Sequence, residues 1–152
     1  NIREPLWKDM EDARTQMAYG LSVCDILKIS DNEIQWFSGK EDYTEGIHML
    51  QQTYQIPLIL LSMGKDGSRA YYKDMLVEVP AFLQKNTIET TGAGDTFGAC
   101  CLHHILKYGL DNLTKQQLKE MLTFANAAAS IITTRKGALR VMPSLEEIQR
   151  LL

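Results

Sequence analysis

Five consecutive residues, Pro57-Leu58-Ile59-Leu60-Leu61, constrain the fold more than any other feature of the chain. The run is too short for a surface helix and shows no polar alternation, so it reads as a strand buried on both faces. Strands of that kind belong to parallel sheets enclosed by helical layers. The flanking pattern agrees. A helix is expected from Pro5 to Tyr19, with Pro5 early, where a missing N–H is harmless. Asp25 to Ile29 reads as a short buried strand, and Asn32 to Phe37 and Tyr43 to Tyr54 as helices, the second with Ile47, Leu50 and Tyr54 at helical spacing. Ser68 to Lys73 and Met75 to Pro80 read as a hairpin joined at Lys73-Asp74. Three more helices follow. One runs from Gly94 to Tyr108 and is closed by Gly109; a second is capped by Thr114 and carries the stripe Leu118, Leu122, Ala125, Ala129 and Ile132; the third is capped by Ser144. Strand–helix alternation within 152 residues predicts one α/β domain with three α/β/α layers and a mostly parallel sheet.

Composition narrows the function classes. The formal net charge is -3, so neither a nucleic acid nor an anionic membrane is expected as partner. No apolar run approaches the ~20 residues that span a bilayer, and the start lacks a basic-plus-apolar signal segment. Cys24, Cys100 and Cys101 have no metal-ligand spacing. Cys100 and Cys101, adjacent in an apolar helical pattern, read as small core residues of a reducing compartment, the cytoplasm. His48, His103 and His104 have no carboxylate or thiol partner at ligand spacing and read as structural. The chain opens at Asn1 without an initiator Met, which suggests a piece of something longer.

The chemistry-bearing segment is Thr90-Thr91-Gly92-Ala93-Gly94-Asp95-Thr96-Phe97-Gly98. Small residues ahead of a helix let main-chain N–H groups approach a ligand, and the helix start adds positive potential; together they suit a phosphate. Asp95 in the first turn would repel that phosphate unless it had a task there. Taking a proton from an attacking hydroxyl is such a task. From composition alone, a capping acid beside a glycine turn is the simpler account of the same residues. The spacing excludes a P-loop, since no Gly-Lys-Ser/Thr follows, and a dinucleotide fingerprint, which needs glycine where Phe97 stands.

Glu89-Thr90-Thr91-Gly92-Ala93-Gly94-Asp95-Thr96-Phe97 resembles the second signature of the ribokinase-like (PfkB) carbohydrate kinases, with Glu89 where Asp is usual. The resemblance implies a ribokinase-like fold, the Gly92-Ala93-Gly94 backbone as anion hole and Asp95 as catalytic base. Ser62-Met63-Gly64-Lys65-Asp66-Gly67 resembles the family's turn near the ATP phosphates, which implies nucleotide contacts from Ser62, Gly64 and Gly67. Asn126 and the Lys136-Gly137-Ala138 segment resemble the adenine-site lining and a nearby monovalent-cation loop. Glu89 and Thr91 would then serve a monovalent cation, with K⁺ the candidate. Ser30-Asp31-Asn32-Glu33 resembles the Asn-x-x-Glu motif, with Ser30 replacing Asn, and implies an indirect Mg²⁺ role for Glu33. Asn1-Ile2-Arg3-Glu4-Pro5-Leu6-Trp7 resembles a fructokinase-type segment that would bring Asn1 and Arg3 near the cleft, where Arg3 could serve phosphate.

Taken together, the resemblance implies an ATP- and Mg²⁺-dependent sugar kinase with fructose as the favoured acceptor. Ribose, a keto-deoxy sugar acid or a nucleoside remain alternatives, as does a nucleotide- or sugar-sensing domain without catalysis. The likeness covers only the later, nucleotide-binding portion of the family's fold. The N-terminal sugar-binding part and its lid have no counterpart in residues 1–152, so the chain alone is expected to be inactive. Surfaces left bare by the missing part would favour a homo-oligomer.

Overall fold

The computed structural model describes residues 2–152. In chain order the elements are α1 (Met10–Val23), β1 (Ile26–Ser30), α2 (Asp31–Ser38), α3 (Tyr43–Tyr54), β2 (Leu58–Ser62), β3 (Ser68–Tyr72), β4 (Met75–Val79), α4 (Ala93–Tyr108), α5 (Lys115–Ile132) and α6 (Leu145–Leu151). The strands are hydrogen bonded in the order β1-β2-β3-β4. The Leu58 N–H donates to the Asp25 carbonyl at 3.3 Å, so β1 and β2 start side by side and run parallel, with α2 and α3 in the crossover. The links from β2 to β3 and from β3 to β4 are too short for a crossover and make antiparallel pairs. The sheet is therefore mixed, with the expected parallel character confined to its β1–β2 pair. No helix among the described residues is long and apolar enough to cross a membrane.

Contact density divides the chain into two units, one up to Leu61 together with Tyr71–Asp74, the other Ser62–Ala70 and Met75–Leu152. In the first, Ile34, Ile47, Leu50 and Leu58 to Leu61 are essentially inaccessible to solvent, each contributing ~1.5–3 kcal/mol by burial. Gly46 lets α3 approach α2, because a Cβ there would stand 2.9 Å from Ile34 Cγ1. Arg14 of α1 donates to the Phe37 and Trp36 carbonyls at 2.9 and 2.7 Å, satisfying the open end of α2, and its guanidinium lies 4.2 Å from the Trp36 ring centre. The helix expected at Pro5 begins later. Pro5 sits in a 3₁₀ turn at Glu4–Leu6, and Asp9 caps α1 by accepting from the Asp12 N–H. A side-chain cap supplies the acceptor that a proline at the first position does not.

In the second unit α5 packs against α4, β4 and α6. Phe97, Cys101 and Ile105 of α4 are buried, while Tyr108 at its end is exposed. Of the α5 stripe expected from its spacing, Leu118, Leu122, Ala125 and Ile132 are buried and Ala129 is half-buried. Burial raises the Cys100 thiol to about 11 and pushes Cys101 up further. Both behave as core residues. After α5 the chain turns back, and Arg135 bonds both the Val141 carbonyl and Glu147 of α6. These contacts fix the segment 133–141 beside the start of α4, where the site lies.

Candidate functional site

The glycine-rich segment folds as a tight turn feeding a helix. The Ala93 N–H donates to the Thr90 carbonyl at 3.1 Å, and Gly92 has φ 78 and ψ -5. Those values are the third position of a type II turn, which calls for glycine. Space is tight as well: a Cβ at Gly92 would stand 3.2 Å from Ile132 Cδ1 and 3.3 Å from Ala138 Cβ, so those side chains would have to shift slightly. The Thr96 N–H closes the first helical bond on the Gly92 carbonyl at 2.8 Å. Because the turn takes up the Ala93 amide, the anion donors left at the start of α4 are the N–H groups of Gly94 and Asp95, which have no acceptor among the described residues. The first-turn amides of a helix carry about half a positive charge and favour anions. Asp95 is exposed.

Gly94 also lines a cavity of about 310 Å³ within the same unit, together with Ala93, Ser62, Gly64, Gly67 and Asn126. Six residues singled out from the sequence thus converge on one space. Its loop 62–67 is held by a hydrogen bond from the Met63 N–H to the Gly67 carbonyl at 2.8 Å. Gly67 is irreplaceable there, since a Cβ would stand 2.2 Å from the Val79 carbonyl oxygen. Asn126 is buried, and its amide NH₂ donates to the Val79 and Pro80 carbonyls at 3.1 and 3.0 Å. Its donors therefore hold the cavity wall, leaving only the side-chain oxygen for any ligand. One turn later Ser130 accepts from Gln84 Nε2 at 3.1 Å and pins the same wall segment. Phe82, Gln84, Ser130 and Thr133 line the cavity as well and were missed from sequence; Phe97, marked only as part of the signature, lines it too. The signal for Ser130 was its i+4 position after Asn126; Phe82 had none beyond an aromatic in a loop.

The remaining residues lie elsewhere. Asp95 and Thr91 are exposed and do not line the cavity. Gly137 and Ala138 also stay outside the lining; Ala138 packs behind Gly92, and the Gly137 N–H donates to Glu89 Oε1 at 2.6 Å. Glu33 belongs to the first unit. There it forms a capping box at the start of α2, accepting from the Ser30 N–H at 2.8 Å while its own N–H donates to Ser30 Oγ at 3.3 Å. Burial works against its ionisation, but the Ser30 hydrogen bonds outweigh that and hold the carboxyl below its ordinary value. Arg3 is exposed, and Asn1 lies outside the described residues. His104 is half-buried, its ring 5.3 Å from that of Phe124, and burial lowers its pKa. Among the described residues no three His, Cys, Asp or Glu side chains come together as a metal site.

Comparison with known proteins places this architecture. Residues 1–145 match the model of the pfkB family carbohydrate kinases. The chain is 34% identical over 152 residues to fructokinase-1 of Zea mays, covering all of this chain and 47% of that protein. It is 35% identical over 151 residues to the fructokinase of Klebsiella pneumoniae, covering 99% and 48%. The fructokinase of Vibrio cholerae O395, solved in its fructose, ADP and calcium ion bound form, superposes with a TM-score of 0.88 at 25% identity over 99% of this chain and 48% of that one. The aminoimidazole riboside kinase of Salmonella enterica shares the fold, with a TM-score of 0.85, 23% identity and coverage of 99% and 50%. The chain spans about half the length of these relatives. On a family match over nearly its whole length, joined to the glycine turn and helix start that carry the signature, the chain belongs to the pfkB family of carbohydrate kinases.

Proposed function

We propose that residues 1–152 form the nucleotide-binding portion of a cytoplasmic ATP-dependent sugar kinase, with fructose as the favoured acceptor. The observation that carries this reading is the start of α4: two amides without acceptors, Gly94 and Asp95, beside a glycine-lined cavity, followed at once by an exposed carboxylate. In this reading the nucleotide occupies the cavity against Ser62, Gly64 and Gly67, with Asn126 acting mainly by holding the wall. Gly137 and Ala138 back the turn. The Gly94 and Asp95 N–H groups, with Gly92 shaping the turn and Ala93 closing it, stabilise charge on the γ-phosphoryl group. The Asp95 carboxylate takes the proton of the sugar hydroxyl as its oxygen bonds to phosphorus and the bond to the ADP oxygen breaks.

A bound Mg²⁺ neutralises phosphate charge. Glu33 would serve that ion indirectly, the role the resemblance implies. The fructokinase of Vibrio cholerae is described with fructose and ADP bound, which favours fructose over ribose, a sugar acid or a nucleoside. Sugar phosphorylation is assigned to a longer chain that carries a sugar-binding portion, as the relatives' greater length suggests.

Asp95→Asn in that longer chain tests the assignment. Fructose-dependent ADP release should fall by ~10²–10⁴ while ATP affinity stays within about threefold. Turnover near the wild-type rate in the Asn variant would remove Asp95 as the base.

A further inference from the structure

Resting on the nucleotide reading above, we propose that Glu89 is a positioning residue. By accepting the Gly137 N–H, it locks the Thr90–Ala93 turn to the segment that follows α5 and so holds the Gly94 and Asp95 amides toward a triphosphate. Three observations meet here. The Gly137 N–H donates to Glu89 Oε1 at 2.6 Å, a charge-assisted bond stronger than a neutral one. The Ile88 and Glu89 N–H groups both reach the Thr133 carbonyl, at 2.8 and 3.3 Å. On the far side of the turn, Gly92 sits against Ile132 and Ala138, where a Cβ would stand 3.2 and 3.3 Å from their side chains.

The turn is thus clamped at both ends to residues 132–138, and only Thr90 and Thr91, both exposed, lie between the clamps. Gly137 has φ 120, a conformation open to glycine, and its amide has no other acceptor among the described residues. Removing the Glu89 carboxylate leaves the Gly137 amide without its partner and one end of the turn held only by main-chain bonds to Thr133. The helix fold itself does not depend on that contact. Its loss therefore falls on the aim of the first-turn amides.

The resemblance implies a competing role for this carboxylate, as ligand to a monovalent cation, and the two roles separate by substitution. Glutamine keeps a neutral acceptor for the Gly137 N–H and loses the charge an ion needs. The experiment is calorimetric titration of this chain and of Glu89→Gln and Glu89→Ala, in KCl, with a non-hydrolysable ATP analogue and with adenosine. The proposal expects Glu89→Ala to weaken the analogue by about tenfold, the equivalent of ~1.4 kcal/mol, and to leave adenosine within twofold. Glu89→Gln should stay close to wild type for both ligands.

Equal loss for both ligands in the Ala variant, no loss for either, or a Gln variant as weak as Ala would each overturn the proposal. Failure of the folded wild-type chain to bind the analogue would remove the nucleotide reading and this inference together; wild-type binding that is unchanged in Ala removes this inference alone. Should Glu89→Ala not fold, amide exchange at Gly137 in the wild-type chain decides: slowed exchange supports the clamp, and unprotected exchange refutes it.

Discussion

At Gly64 and Gly67, three residues apart, two different reasons for glycine can be separated by experiment. Gly64 has φ 53 and open space where a Cβ would go, whereas at Gly67, with φ 98, a Cβ would stand 2.2 Å from the Val79 carbonyl oxygen and 2.8 Å from Pro80 Cα. Gly64→Ala should therefore cost only the left-handed backbone, ~1–2 kcal/mol. Gly67→Ala must also displace the end of β4 and should cost ~3 kcal/mol or more. Melting curves check this, at ~2–4 °C per kcal/mol for a chain of this size; equal shifts would contradict the packing described. The sequence motif marked both glycines without distinguishing them. In the same way, the sequence singled out Asn126, which lines the cavity, but not its part as a wall support, because its partners lie 46 and 47 positions away. Glu89 and Gly137, 48 apart, are another such pair. Contacts at that separation leave no local pattern of spacing.

Element boundaries were legible at Thr114 and Ser144, where a cap writes them. Ser30, Thr114 and Ser144 each form a capping box with the residue three positions on, and α2, α5 and α6 begin directly after them. The strands followed from apolar runs and turn chemistry. The first helix was misplaced because Pro5 outweighed Asp9 in the reading, although Asp9 caps with a 2.8 Å hydrogen bond. The box at Ser30 has a consequence for pH. Glu33 has a folded-state pKa below its ordinary 4.5, so its contribution to stability is complete above that value and fades as pH falls through the lowered one. The stability gap between wild type and Glu33→Gln should be open at neutral pH and close as pH falls through the lowered value. A gap that widens on acidification would show that Glu33 does not act through the Ser30 hydrogen bonds.

For the whole molecule, the family was legible because nine residues in a row, Glu89 to Phe97, carry the signature, and the fold agrees with it. The mixed sheet was less so, since a fully apolar strand such as β2 is equally at home between one parallel and one antiparallel neighbour. The acceptor sugar was the least legible, because the cavity beside the start of α4 is lined by residues that do not include Asp95. What unites the chain is one claim: that the start of α4 is a phosphate site. Heteronuclear spectra of the isotope-labelled chain test it most directly, with ATP and adenosine titrated separately. The account predicts that ATP shifts the amide resonances of Gly94 and Asp95 while adenosine leaves them in place and moves only cavity residues such as Phe82 and Ser130. Gly94 and Asp95 amides that stay unmoved by saturating ATP in the folded chain would contradict it.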